Sequence, residues 1–320
     1  MGGDVFGVVD IGSNTVHLLV ATSDGVTQRR IDDRSVFLRL GADLELTGGI
    51  TEGKVRDAAL SVLELTERAE ALGAREVRLL ATQAVRAASN RAEVVRAIES
   101  ACGLPVSVLD PEREAYFAVL GAGLTKSPPG PHLVVDSGGA STQIALADGE
   151  ILLAVHSIPI GSGRLATRFS QDPPRRSELL LMKARIASLM EPAVEAVLKG
   201  RPAPGNAVVV GGAPRRVARV VSQAGAPTDI TIAQAHAAVD FLVSQPAEAI
   251  VQQRQIELTR VPMARAGALI LDELMRATGL AVCTVSPYGI REGAIIDAAR
   301  TARWHADGGA RNGEPAPARR

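Results

Sequence analysis

Val8-Val9-Asp10-Ile11-Gly12-Ser13-Asn14 is echoed, far along the same chain, by Val134-Val135-Asp136-Ser137-Gly138-Gly139-Ala140-Ser141. Each copy reads as an apolar strand ending in Asp, a turn rich in Gly and Ser, and a second apolar strand, over residues 15–22 in the first and 142–147 in the second. One strand-turn-strand unit built twice implies two matching lobes. Gly12, Gly138 and Gly139, with Ser137 and Ala140 beside them, let backbone N–H groups converge on a small concavity suited to phosphate oxygens. Ser13, Asn14, Thr15, Ser141 and Thr142 add side-chain donors. A carboxylate repels phosphate, so Asp10 and Asp136 make sense beside such turns if a hard cation, Mg²⁺, stands between the two anions.

Working outward from the first copy, residues 5–9, 15–22 and 26–31 read as strands, with a looser apolar stretch at 36–40. Val55, Ala59, Val62, Leu65, Ala69 and Leu72 recur at helical spacing over residues 51–72, and Gly73 supplies the stop. Residues 77–81 read as a buried strand. Asn90-x-x-Glu93 resembles a capping box for a helix running to Gly103, and 106–109 is a further strand. Pro111 suits a helix start, with Glu112, Arg113 and Glu114 in the first turn.

Lys126-Ser127-Pro128-Pro129-Gly130-Pro131 is the clearest linker, so the expected domains are residues 1–125 and 126–304, with the last helix free to pack back on the first. The second half repeats the plan, with strands at 132–136, 142–147 and 151–157 and a hairpin turn at Asp148-Gly149. A long helix begins at Pro173 or Pro174 and runs toward residue 198. Residues 207–210 form a buried strand delivering Gly211-Gly212 to a helix start, a third phosphate contact. Helical patterns fill 231–276, with breaks near Pro246 and Pro262, and a strand at 281–285 precedes a last helix from about Arg291. Residues 305–320, rich in Gly, Pro, Ala and Arg, read as a disordered tail.

With 320 residues, 46% of them hydrophobic, and 35 basic against 35 acidic groups, the chain buries a substantial core. Zero formal charge removes long-range attraction as an argument for nucleic acid. There is no signal-peptide pattern and no apolar run of membrane-spanning length, so the expectation is a cytoplasmic protein with no membrane partner. Cys102 and Cys283 lack a CxxC partner, and the five histidines lack metal-ligand spacing, which disfavours disulfide, zinc and histidine chemistry.

Taken together, Asp10–Thr15, Asp136–Thr142, Ala81-Thr82-Gln83-Ala84-Val85-Arg86, Glu112-Arg113-Glu114-Ala115, Ile158-Pro159-Ile160-Gly161 and Ser286-Pro287-Tyr288-Gly289-Ile290-Arg291-Glu292-Gly293 resemble the exopolyphosphatase and guanosine pentaphosphate phosphohydrolase family (Ppx/GppA). The segments occur in order over roughly residues 5–302, as in the short, two-domain members. The resemblance implies an α/β fold of two ribonuclease H-like domains, as in actin and sugar kinases, with the active site in a cleft between them. It also implies that Glu114 activates the attacking water and that Arg86 meets substrate phosphates. Arg39, Arg164 and Arg291 lie near motif segments and are weaker candidates for a polyanion groove.

Three positions depart from the family pattern. Gln143 stands where an acidic residue follows the second turn, Ala140 where Gly is common, and Gly211-Gly212-Ala213 where a hydroxyl-bearing segment is typical. Gln143 can hold a water or phosphate but cannot balance Mg²⁺ charge. The expected activity is Mg²⁺-dependent release of terminal phosphate from inorganic polyphosphate. Scarce aromatics, one Trp, two Tyr and five Phe, disfavour a base pocket for guanosine pentaphosphate, the nearest alternative substrate. A polyphosphate- or alarmone-binding regulator with weak catalysis, and a kinase on the same fold, are the other readings. A homodimer is compatible with the sequence.

Overall fold

The computed structural model describes residues 3–125, 129–222, 228–254 and 256–306. Two units emerge: the chain up to Leu124 joined by the segment from Ile290, and Thr125–Gly289. Residues 126–128 of the expected linker, and the expected tail beyond residue 306, lie outside the described residues.

In the first unit β1 (Asp4–Ile11), β2 (Thr15–Ser23) and β3 (Gln28–Phe37) form an antiparallel meander. There follow α1 (Leu40–Thr47), α2 (Glu52–Ala71), β4 (Glu76–Ala81), α3 (Gln83–Ala87), α4 (Arg91–Cys102), β5 (Val106–Val108) and α5 (Pro111–Gly123). The sheet order is β3-β2-β1-β4-β5, with β4 parallel to β1 and β5 parallel to β4.

The second unit contains β6 (Pro131–Ser137), β7 (Thr142–Asp148), β8 (Ile151–Ile158), α6 (Ser162–Ala166), α7 (Arg176–Leu198), β9 (Ala207–Val210), α8 (Gly212–Ser222), β10 (Thr228–Thr231), α9 (Ile232–Val243), α10 (Ala247–Arg254), α11 (Val261–Thr278) and β11 (Val282–Val285). Its sheet runs β10-β11-β9-β6-β7-β8. With the edge strand β10 set aside, the order β8-β7-β6-β9-β11 repeats that of the first sheet, each with an antiparallel meander on one side and parallel strands on the other. The sequence echo is therefore a duplicated ribonuclease H-like sheet.

Several elements differ from expectation for identifiable reasons. β3 is one continuous strand of 10 residues. It lies at the sheet edge, where Arg29, Arg30, Asp32, Asp33 and Arg34 suit a solvent-facing rim but blur the alternation that marks a strand. The short helices α1, α3 and α6, of 8, 5 and 5 residues, are too brief to show a helical period. The Asn90 side chain does not cap α4. It clamps the backbone of Ile50 instead, accepting from its N–H at 2.9 Å and donating to its C=O at 2.8 Å. The expected breaks near Pro246 and Pro262 separate α9 from α10 and α10 from α11, with Pro262 in the first turn of α11.

The last helix, α12 (Ile290–Ala306), belongs to the first unit, so the second closes at Gly289 rather than at residue 304. His305 and Ala306, expected to open the tail, are its final residues. Apolar Ala294, Ile295, Ala298, Ala299 and Ala302 seat α12 against Phe117 of α5 and against Phe6, Val8, Leu19 and Leu80 on one face of the sheet. The opposite face packs Val9, Ile11 and Leu18 against Val55, Val62, Val94 and Ile98 of α2 and α4. A Cβ at Gly293 would collide with the carbonyl of Phe117, so only glycine permits this approach of α12 to α5.

In the second unit α11 is surrounded by α6, α7, α8 and α9. The fully buried Arg265 on α11 ties it to the C-terminal end of α9 and to the segment between α6 and α7, donating to the carbonyls of Leu242 (2.8 Å) and Gln245 (2.7 Å) and to Asp172 Oδ1 (2.6 Å).

The Gly293 contact makes a direct prediction. Gly293→Val should destabilise the protein by about 2 kcal/mol or more through overpacking against backbone that has no rotamer to yield. Urea unfolding checks it, and an unchanged midpoint would show that α12 does not rest on α5 this closely.

Candidate active site

The duplicated turns are superposable in their bonding as well as their sequence. In the first, Asp10, the last residue but one of β1, lies opposite His17, and Gly12 N–H donates to Thr15 O at 3.1 Å. In the second, Asp136 on β6 faces Gln143, and Gly138 N–H donates to Ser141 O at 3.0 Å. Each loop's carbonyls are then claimed by amides following the third strand. Ser13 O accepts from Gly41, and Asn14 O from Leu38 and Arg39. Gly138 O accepts from Ser162, and Gly139 O from Gly163 and Arg164. With their acceptors occupied by protein donors, both turns present a surface poor in repulsive oxygen, which is what an anion site requires.

In the first unit, Glu114 stands in the opening turn of α5, which Asp110 caps by accepting from Arg113 N at 2.7 Å. Glu112 is exposed and Glu114 buried, so the fold separates two glutamates that sequence spacing leaves equivalent. Arg86, delivered by α3, donates to Glu114 Oε1, to the carbonyl of Leu109 and, at 2.5 Å, to Gln83 Oε1. Burial pushes the Glu114 carboxyl up to about 7, against the pull of Arg86 and with added repulsion from Asp10 and Asp110. Burial likewise lifts Asp10 to about 6, with Arg291 opposing and Glu292 adding to the rise. Asp10 Oδ1 is buried with no hydrogen-bond partner.

Arg86, expected to meet substrate phosphates, instead gives its guanidinium to Glu114, Leu109 and Gln83 in this structure. Arg291 is spoken for, donating to Asp33 Oδ1 at 2.9 Å and lying 3.9 Å from Glu292. Arg164 donates to the carbonyl of Pro159 at 3.0 Å. Arg39 is exposed and holds a left-handed backbone conformation, with φ of 60°.

In the second unit Asp136, Ser137, Ser141, Thr142 and Gln143 are all buried. Two of these differ from their expected role as ligand donors. Thr142, fully buried, gives its hydroxyl hydrogen to Ile160 O at 2.7 Å because β7 and the segment after β8 need that bond to close. Gln143 donates to Ser141 Oγ at 3.0 Å and Ser157 Oγ at 3.4 Å, so it props Ser141 rather than facing outward. Ser137 Oγ is buried without a partner. Gly211, at φ of 110°, presses the third turn onto the second: a Cβ there would meet Ser137 O and would come within 3.1 Å of Asp136 Oδ1. Ala213 points the other way, into α11 against Gly267, so the side chain at this position serves helix packing.

Among the described residues no group of three or more His, Cys, Asp or Glu is arranged to hold a metal ion. The available donors still suit Mg²⁺. Asp10 offers a hard oxygen with no protein partner, and Mg²⁺ ordinarily takes one or two carboxylates and fills its octahedron with water and substrate phosphate. Gln83 and Glu292 shape the site without having been legible as its parts, and Arg291, a weaker groove candidate in the sequence, instead pairs with Asp33 and bears on Asp10. Gln83 lies inside the Ala81–Arg86 motif, and the other two inside the motif ending at Gly293, which were the only signals for them.

A duplicated ribonuclease H-like scaffold carrying phosphate-type turns and a buried, near-neutral glutamate defines a class of phosphoryl-transfer protein. Within that class the chain belongs to the Ppx/GppA phosphatase family, whose model matches residues 19–302. Exopolyphosphatase 1 of Mycobacterium tuberculosis is 28% identical over 300 residues, covering 91% of this chain and 87% of that one. The guanosine-5'-triphosphate,3'-diphosphate pyrophosphatase of Pseudoalteromonas translucida is 30% identical over 170 residues, 53% of this chain and 34% of that one. The crystal structure of the Aquifex aeolicus family member overlays with a TM-score of 0.78 at 27% identity, over 92% of this chain and 97% of that one. The chain is accordingly a hydrolase of phosphoanhydride bonds. No described helix is long and apolar enough to cross a membrane.

The two raised carboxyls carry a signed pH prediction. Between their ordinary values, 3.8 and 4.5, and their folded values, about 6 and about 7, the folded state holds more protons than the unfolded. Their contribution to unfolding free energy therefore falls as pH climbs from about 4 to about 7. Asp24, Asp32, Asp172 and Glu178, whose carboxyls are lowered, act with the opposite sign in the range below about 4. The double variant Asp10→Asn, Glu114→Gln should flatten the pH 4–7 slope of Tm relative to the parent. Parallel slopes in differential scanning calorimetry would contradict the assignment.

Proposed function

We propose that the chain is an exopolyphosphatase in which Glu114 serves as the general base. The observation that carries this reading is the buried Glu114 carboxyl, raised to about 7 and held by Arg86. A base poised near neutral pH can take a proton from water while remaining substantially ionised. In the reaction, water oxygen bonds to the terminal phosphorus, the bridging P–O bond breaks, and Glu114 receives the water proton. Arg86 fixes the Glu114 oxygen and keeps its charge from being fully suppressed by burial.

Backbone amides of the turns at Gly12–Thr15, Ser137–Ser141 and Gly211–Gly212, with the hydroxyls of Ser13, Ser137 and Ser141, would bind phosphate oxygens. Asp10 and Asp136 are the residues that would hold Mg²⁺, which when bound supplies charge compensation for the transferred phosphoryl. Inorganic polyphosphate is the favoured substrate because it is a string of identical oxyanions, and the aromatic residues a guanine pocket would use are few. The relative named as a guanosine pentaphosphate pyrophosphatase supports that nucleotide as the second reading.

Three outcomes test the mechanism. Phosphate release from polyphosphate and from guanosine pentaphosphate, each with and without Mg²⁺, should be metal-dependent and faster for polyphosphate. Glu114→Gln should lower kcat by about 10²- to 10⁴-fold while leaving substrate affinity within a few-fold. Arg86→Gln removes the cation that opposes desolvation, so the acidic limb of the kcat/KM profile should move upward by about one pH unit or more. Full turnover by Glu114→Gln would remove Glu114 from the base role.

A further inference from the structure

The third glycine turn lacks the hydroxyl that its position would ordinarily offer, yet a charged donor reaches it from one helical turn later. Helical side chains lean toward the N-terminus, so residue 216 covers residue 212 on α8. Gly212 leaves the room. The Arg216 guanidinium lies over it, with Nη1 3.5 Å and Nη2 3.7 Å from where a Cβ would stand. Among the described residues Arg216 makes no hydrogen bond or ion pair, and its Nε is buried without a partner. Its surroundings are cationic: Arg260, Arg215 and Arg219 all repel it, more strongly than Glu257 attracts it. Burial and these neighbours hold its ionisation down at about 10.

Three features that an isolated fold would avoid are thus gathered at one turn. A half-buried arginine, its Nε fully buried, lacks an acceptor, it sits at the positive end of a helix dipole, and its neighbours share its sign. A second, independent group points the same way. Ser137, 2% exposed, has an unpartnered buried hydroxyl, and its backbone is in contact with Gly211. An oxyanion at the turn would give the guanidinium fork and the first α8 amides an acceptor, and Ser137, whose backbone the turn touches, adds a buried hydroxyl that has no protein partner.

We propose that Arg216, with the Gly211-Gly212 turn and Ser137, forms a phosphoryl-binding subsite that sets affinity for the phosphoanhydride chain of the substrate. This rests on the proposed substrate class and not on the proposed base. Arg216 replaces by reach the donor that Ala213, turned into α11, does not provide. Losing it should weaken binding without slowing chemistry, because its contacts are the same in ground and transition states.

The test is calorimetric titration of the full chain with inorganic tripolyphosphate and, separately, with guanosine tetraphosphate. It is run on the parent, Arg216→Gln, Arg216→Lys and the exposed control Arg185→Gln, with the Tm of each measured without ligand. Arg216→Gln should weaken tripolyphosphate binding about 10- to 100-fold, with a matching rise in KM, kcat within a few-fold of the parent and an unliganded Tm no lower than the parent's. Arg216→Lys should recover part of the loss and Arg185→Gln should show none. A loss shared by both ligands identifies the subsite as reading phosphate alone, and a loss confined to one identifies that ligand as its occupant. Unchanged affinity in Arg216→Gln, or a loss that only tracks a lower Tm and is not rescued by lysine, would overturn the proposal. A parent that binds tripolyphosphate but never hydrolyses it would remove the hydrolytic reading while leaving the subsite intact. A parent that binds neither ligand removes both.

Discussion

Both units depend on one arrangement of backbone hydrogen bonds. A short turn between the first two strands gives its carbonyls to amides arriving after the third strand, from Leu38, Arg39 and Gly41 in one unit and from Ser162, Gly163 and Arg164 in the other. A loop rich in Gly and Ser has too little side chain to hold itself in shape. Capture by a neighbouring segment fixes it, and the neighbouring segment is in turn positioned by a ten-residue edge strand in the first unit and an eight-residue one in the second. Each aspartate, Asp10 and Asp136, is the last residue but one of its strand, one ladder pair before the turn begins.

Chemistry is distributed unevenly over this symmetric frame. In the first unit two carboxyls, Glu114 and Asp10, lie where desolvation outweighs the nearest cation and raises both. The second gathers cations near its third turn, Arg215, Arg216, Arg219 and Arg260, with Glu257 acting against them at Arg216. Net formal charge is zero over the whole chain, so the asymmetry is local and of a kind that composition conceals. A proton acceptor and an anion acceptor are complementary requirements of phosphoanhydride hydrolysis.

The sequence was most legible where periodicity and turn chemistry reinforced each other. α2, α5 and β9 fall within a residue or so of their expected limits, since each combines a regular apolar pattern with a Gly or Pro boundary. The duplicated Asp-Gly-Ser turns were visible as a repeat, and the repeat proved to extend to sheet order. Side-chain commitments were not legible. Thr142 and Gln143 look like ligand donors in a string of polar residues, but cross-strand geometry spends them on Ile160, Ser141 and Ser157. Arg216 reads as one basic residue in a run of them, and its position over Gly212 appears only once the helix start is known. Asn90 was misread because a capping pattern says nothing of a partner forty residues away.

The account turns on the state of one carboxyl. Site-resolved titration of Glu114, by carbon-13 NMR of the labelled full chain or by infrared difference against Glu114→Gln, reads it directly. A midpoint near 7, moving higher in Arg86→Gln, is the predicted result. A midpoint at the ordinary 4.5, unmoved when Arg86 is replaced, would contradict the claim that burial prepares Glu114 to accept a proton.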